Sequence, residues 1–172
     1  TLGKKYGFMT FFGDALKAVF AVGVTYLLFR NSCNDSLIAI ALYTGLGTIL
    51  GHNFPFYMNF KGGKGIAASS GVIFSLVFFD WKFLALGIIT FFVALALTKY
   101  VSFSSLCLMT GFFLEMIIFG QLNMVHNLNQ SEKIESYILV GIMMVLSYIR
   151  HKDNIKRLVN GTERKIGQKK EA

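Results

Sequence analysis

Six blocks of apolar residues dominate this chain: Phe8–Phe29, Leu37–Leu50, Ile66–Phe79, Phe83–Leu97, Phe103–Phe119 and Ser136–Ile149. A helix of a soluble protein carries one apolar stripe and one polar face. These blocks are apolar around most of their circumference, so water is the wrong solvent for them. In a bilayer such blocks become crossings, for which about 20 residues are usual. The pattern therefore predicts an all-α, polytopic membrane bundle with six spans. Residues 1–172 form a single membrane-embedded domain in this reading. The second and third blocks are short for a full crossing. They either borrow flanking small residues or stop part-way, where protein lines a cavity.

Composition argues against the alternative, a soluble all-helical domain. Hydrophobic residues make up 54% and charged residues 15%, against about 25% charge in an ordinary soluble domain. The net charge of +8 would suggest nucleic acid as a partner in a soluble protein. Here it follows from the membrane, because basic residues gather in cytoplasmic loops. With six spans, one side receives Lys4, Lys5, Lys61, Lys64, Lys99 and the basic tail after Ile149, while the other receives Arg30, Lys82 and Lys133. That asymmetry places both ends and the loop after Leu50 on the cytoplasmic side. Trp81 sits in the turn Asp80–Lys82 as an interface anchor. Cys33 and Cys107 have no metal or redox spacing and are expected to pack as small apolar residues. The chain opens at Thr1 without a methionine, from which an upstream segment is expected.

The richest stretch is Gly51–Gly65, GHNFPFYMNFKGGKG. Gly62, Gly63 and Gly65 surround Lys64, and a buried helix is expected from Ile66. A glycine-rich turn at a helix N-terminus offers free N–H groups and the positive end of the helix dipole to an anion. With Lys61 and Lys64 beside it, the stretch reads as a phosphate site. It reads equally as a tight connector with lysines among lipid headgroups. It is not a nucleotide P-loop, which needs Ser or Thr after the lysine; Gly65 stands there. His52, beside Asn53 and Pro55, is expected to fix the loop.

The second rich stretch opens the tail: Arg150, His151, Asn154, Arg157 and then Glu163. If the last span continues as helix, His151 and Asn154 share a face. Histidine can take a proton near neutral pH, and Asn154 can orient a substrate or steady an oxyanion. A polybasic tail bound to anionic lipid explains the same charges. Asp14 and Lys17 lie one helical turn apart in the first span. Glu115 interrupts the fifth and is expected to pair with a neighbouring helix. His126 is expected on the outer side with no role.

Taken together, these residues resemble a family of bacterial membrane enzymes that transfer a fatty acyl group from acyl phosphate to glycerol 3-phosphate. The run Gly51-His52-Asn53-Phe54-Pro55 with Phe60-Lys61-Gly62-Gly63-Lys64-Gly65 is similar to that family's glycerol-phosphate motif. Arg150-His151, Asn154-Ile155, Arg157-Leu158 and Gly161-Thr162-Glu163 are similar to its C-terminal motif. Asp14 and Lys17 match a weaker Asp-x-x-Lys element. The resemblance runs over the whole chain. It departs at Ala68, where the family usually has threonine. It also departs at the start, since family members carry a further span and a Ser, Asn and Arg motif upstream, giving seven spans.

The resemblance implies a product, lysophosphatidic acid, and a location, the bacterial cytoplasmic membrane with the site facing the cytoplasm. His151 and Asn154 would be catalytic. Lys61, Gly62, Gly63, Lys64 and Gly65 would hold phosphate. His52, Asp14, Lys17, Arg157 and Glu163 would support them. It implies no metal, no cofactor, no nucleic acid and no obligatory protein partner; membrane lipid surrounds the chain. Because phosphate leaves readily, no enzyme nucleophile is needed, and either His151 or the departing phosphate can take the hydroxyl proton. The rival class is a small anion or phosphate transporter. That would place broken helices near the midplane, commonly in inverted repeats. No such repeat is present, and the polar groups gather at one face.

Overall fold

The computed structural model describes residues 4–32, 37–125 and 128–168; Cys33 and His126 lie outside them. Among the described residues seven α-helices follow in chain order: α1 (Lys4–Phe29), α2 (Leu37–Asn53), α3 (Ile66–Ser75), α4 (Trp81–Thr98), α5 (Val101–Gln121), α6 (Gln130–Arg150) and α7 (Lys152–Val159). Short 3-10 turns occupy Phe56–Met58 and Leu76–Phe78.

The apolar blocks are all helical, but their ends differ from the sequence expectation. α2 does not stop at Leu50; it carries Gly51, His52 and Asn53 as its last turn. Pro55, at φ −68° and ψ 124°, then forces extended backbone before the Phe56–Met58 turn, since proline cannot continue the ladder and disfavours helix in the residue before it. α6 begins well inside the expected polar loop. Asn129 accepts from the Glu132 N–H at 3.0 Å, and the Glu132 carboxylate accepts from the Asn129 N–H at 2.9 Å. This reciprocal capping box satisfies two donors that a helix start otherwise leaves orphaned. At α4 the cap is Asp80, whose carboxylate accepts from the Lys82 N–H at 2.9 Å.

Among the described residues four apolar segments are long enough to cross a membrane: Lys5–Phe29, Leu37–Met58, Trp81–Thr98 and Val101–Gln121. The sequence reading expects six spans, the second and third of them short. α3 with its 3-10 extension, Ile66–Phe78, is shorter. α6 has 21 residues, but its opening turns carry Gln130, Glu132, Lys133 and Glu135 and dilute its apolar character.

α1 packs on α2 and α3, α2 on α6, and α5 joins α4 to α6. Leu42, Val72, Leu76, Phe83, Met109, Phe112, Met116, Val140 and Met143 form the fully buried centre. In lipid, close approach of helices depends on small residues. Gly71 provides it between α1 and α3: a Cβ there would run into the Ala15 carbonyl. Phe8, Phe12, Phe20, Leu27 and Leu28 of α1 are exposed, as a lipid-facing surface requires. Glu115 is buried in α5, and one of its carboxyl oxygens has no hydrogen-bond partner among the described residues; the expected pairing with a neighbouring helix is not made by that oxygen.

Candidate active site

Because α2 ends at Asn53, the chain must return past its C-terminus to begin α3, and this return builds the site. The last carbonyls of any helix lack partners inside it. Here the Gly63 N–H donates to the His52 carbonyl at 3.3 Å and the Gly62 N–H to the Asn53 carbonyl at 3.1 Å. These two N–H groups therefore cap α2. Both groups that the glycine pattern offers to an anion thus have backbone carbonyl partners here. The approach is so close that a Cβ on Gly62 would collide with the His52 carbonyl. Gly65 is needed for a second reason: its φ of 83° lies in the left-handed region, which glycine enters without a Cβ clash.

The carbonyl edge of the same loop faces α6. Arg150 donates to the Gly62 carbonyl at 2.7 Å and to the Gly63 carbonyl at 2.9 Å and 3.1 Å. α6 then breaks at His151, whose φ of −100° and ψ of 9° separate it from α7. The expected continuous helix is thus two helices. His151 and Asn154 are both buried and both line one cavity.

A chain of polar contacts crosses this face. Lys64 Nζ donates to Asn154 Oδ1 at 2.6 Å. Asn154 Nδ2 donates to Glu163 Oε1 at 2.7 Å. Ser102 Oγ donates to the same oxygen at 2.7 Å, and Arg157 Nε donates to Glu163 Oε2 at 2.6 Å. Burial pushes the Glu163 pKa up, but the hydrogen bonds from Ser102, Asn154 and Arg157 more than offset it and hold the carboxyl below its usual range. Desolvation, with Arg157 nearby, lowers the Lys64 pKa, and the Glu163 and Asp153 carboxylates act against that shift. Asn154 spends its oxygen on Lys64 and one N–H on Glu163. Its visible role is a bridge, and one amide proton remains.

His151 Nδ1 lies 2.8 Å from the Ser147 carbonyl. A carbonyl only accepts, so Nδ1 carries the proton and Nε2 of the neutral ring is left with a lone pair. Desolvation lowers the His151 pKa, with Lys64 adding to the effect. The ring is therefore neutral near pH 7.

At the α1 side, Asp14 Oδ1 accepts from Lys17 at 2.7 Å and lies 3.3 Å from His52 Nδ1, and Lys17 Nζ is 2.8 Å from the same ring nitrogen. The His52 ring packs against Gly63 so closely that a Cβ there would run into its Nε2. Its side chain also lines the cavity.

The cavity has a volume of about 690 Å³. Its polar end is built from His52, Lys64, Gly65, His151, Asn154 and Glu163. Its apolar arm runs between α3, α4 and α5 past Ile73, Leu84, Ile88 and Phe91. Gly65, Ile66 and Ala67 also line it, so the first turn of α3 borders the space. Lys61, Gly62 and Gly63 are not among the lining residues; Lys61 is exposed. Asp14, Lys17 and Arg157 stand behind the wall as partners of lining side chains. Sequence reasoning missed Ser102, which has no motif around it, and saw in Arg150 only a charge.

A family model described as glycerol-3-phosphate acyltransferase matches residues 1–161. The chain is 38% identical over 167 residues to glycerol-3-phosphate acyltransferase 2 of Thermotoga maritima, covering 96% of this chain and 74% of that protein. It is 38% identical over 172 residues to a glycerol-3-phosphate acyltransferase of Clostridioides difficile, covering 99% and 76%. Among solved structures, it resembles PlsY (YgiH), an integral membrane glycerol 3-phosphate acyltransferase, in its glycerol 3-phosphate form. That match has a TM-score of 0.78 and 28% identity over 96% of this chain and 74% of the other. The lysophosphatidic acid form of that protein matches with a TM-score of 0.77.

Proposed function

This chain belongs to the glycerol-3-phosphate acyltransferase family, and on that premise we propose that acyl phosphate is its donor and that Lys64 and the first turn of α3 hold the glycerol phosphate. It is an integral-membrane acyltransferase that acylates glycerol 3-phosphate to lysophosphatidic acid, an early step of phospholipid synthesis. The observation that carries the site assignment is one cavity with two chemistries: cationic and N–H donors at one end, an apolar arm at the other. A phosphate and an acyl chain need both.

The reaction proceeds by attack of a glycerol hydroxyl on the acyl carbonyl. The new ester C–O bond forms as the acyl–phosphate C–O bond breaks, and inorganic phosphate leaves. Two anions must meet, and Lys64 with the α3 amides offsets their repulsion. The hydroxyl proton passes to His151 Nε2; the departing phosphate is the competing acceptor. Glu163 and Asn154 hold Lys64 in place, and Arg157 and Ser102 hold Glu163. No cofactor enters this chemistry.

We place six passes in the bilayer, with residues 1–172 as one domain. The support is alternation: the C-termini of α2, α4 and α6 and the N-termini of α3 and α5 all meet at the site face. Lys99 accepts there from the Ile166 N–H at 2.8 Å, and Ser102 meets Glu163. The charge asymmetry of the loops puts that face in the cytoplasm, and the membrane is then the bacterial cytoplasmic one.

The test is an assay of the purified enzyme in micelles with glycerol 3-phosphate and three donors: acyl phosphate, acyl-CoA and an acyl-carrier-protein thioester. Transfer from acyl phosphate alone is expected. Transfer from a thioester at a comparable rate contradicts the donor assignment.

A further inference from the structure

The glycine loop is pinned along both edges. Its N–H edge caps α2, as above. Its carbonyl edge would be left to solvent without Arg150, which reaches across from the last residue of α6. The guanidinium makes three contacts to two successive carbonyls, at 2.7 Å, 2.9 Å and 3.1 Å. It also lies over the Phe54 ring, 5.3 Å from its centroid. Phe54 is the residue just after α2, so one side chain touches the end of α2, the loop and the α6–α7 joint.

The next residue along the chain on each side of this clamp is functional. Lys64 follows Gly63, and His151 follows Arg150. A shift of the loop relative to α6 therefore moves Lys64 relative to His151, and a displacement of about 1 Å suffices to lose about a hundredfold in rate. We propose that Arg150 is a positioning residue for acyl transfer, locking the Gly62–Gly63 backbone to the α6–α7 joint so that Lys64 and His151 face one substrate. The proposal rests on the functional reading above. The choice of arginine follows from its shape: a planar fork can serve two carbonyls and an aromatic face at once, and the point charge of lysine cannot.

The experiment uses the purified enzyme in micelles with Arg150→Lys, Arg150→Gln and, as a charge control, Lys152→Gln, whose side chain is exposed. Two quantities are read: the glycerol 3-phosphate dependence of transfer from acyl phosphate, and hydrogen exchange of the backbone over residues 54–66. Arg150→Lys is expected to speed loop exchange about tenfold and to reduce kcat/KM about ten- to a hundredfold, with a substantial part of the loss in kcat. Lys152→Gln is expected to stay near wild type in both. A loss confined to KM, rescued by lysine, with loop exchange unchanged, would make Arg150 a direct phosphate ligand and overturn the proposal. A lower thermal stability with unchanged kinetic constants would make it merely structural and also overturn it. Should the wild-type enzyme fail to use acyl phosphate, the donor assignment falls; loop exchange, which needs no turnover, still decides whether the clamp exists.

Discussion

The two ends of the bundle are closed in different ways. At the end away from the site, contacts are mostly local. Asp80 caps through a residue two positions on, Asn129 pairs with Glu132, and Lys133 donates to Asn123 at 2.5 Å. Among the described residues three contacts there reach between helices: Tyr43 donates to Glu135 at 2.6 Å across 92 positions, Tyr137 donates to the Ile117 carbonyl at 3.4 Å across 20, and the Thr25 and Thr44 hydroxyls lie 3.0 Å apart across 19. At the site end, long-range contacts dominate. Lys64–Asn154 spans 90 positions, Arg150–Gly62 spans 88, Ser102–Glu163 spans 61 and Lys17–His52 spans 35. Local caps satisfy helix ends at little entropic cost, whereas long-range polar contacts order two distant segments at once. A bundle that needed only closed helix ends would have used caps at both. The long-range network marks the end where relative placement of side chains matters.

Substitutions can break or sharpen this contrast. The largest effect is expected from Gly62→Ala, whose methyl meets the His52 carbonyl, a backbone atom that cannot yield cheaply. The loop must leave α2, and transfer is expected to fall by more than about a hundredfold while the helix content by circular dichroism is kept. An active Gly62→Ala enzyme would show that the loop's seat on α2 is dispensable. Next comes His151→Gln, with an expected loss of about a hundredfold in kcat if the ring is the base. A loss under about threefold would hand the proton to the leaving phosphate. The pH profile sharpens this. His151 must be neutral to act, and its pKa is lowered. Activity should therefore hold at pH 7 and fall only as pH drops through a value below the ordinary histidine pKa of about 6.5.

Glu163→Gln follows, with an expected loss of about tenfold, because the carboxylate holds Asn154 and Arg157 but touches no reacting atom. Its depressed pKa gives a stability term that is complete above the unfolded carboxyl value of about 4.3 and is lost as pH falls through the lower folded value. Acid unfolding monitored by tryptophan fluorescence should accordingly begin at higher pH in the variant. The smallest effect on activity is expected at the opposite end: Asn129→Ala should lower stability by about 1 kcal/mol and leave kcat/KM within about twofold. A large activity loss there would erase the distinction between the two ends.

Much of this was legible in the chain. The apolar blocks gave the helices, and GHNFP, KGGKG and the RHxxN tail marked the residues that meet. What stayed hidden has physical reasons. The glycine N–H groups looked free because α2 was ended at Leu50; its true end at Asn53 supplies the carbonyls that occupy them. α6 started late in the sequence reading because its first turns are polar, although the Asn129–Glu132 capping box was a readable start signal. Ser102 has no local signature, since its partner is 61 positions away. The break at His151 follows an unbroken helical pattern from Ser136, and nothing in residue type foretells it.

The central claim is that Lys64 binds the glycerol phosphate at the N-terminus of α3. Its direct test is the glycerol 3-phosphate dependence of Lys64→Ala at saturating acyl phosphate in micelles. Loss of one charge-assisted contact, worth about 1.5–3 kcal/mol, predicts an increase of about ten- to a hundredfold in KM for glycerol 3-phosphate. A KM unchanged from wild type would contradict the account and return KGGKG to the role of a connector between two membrane helices.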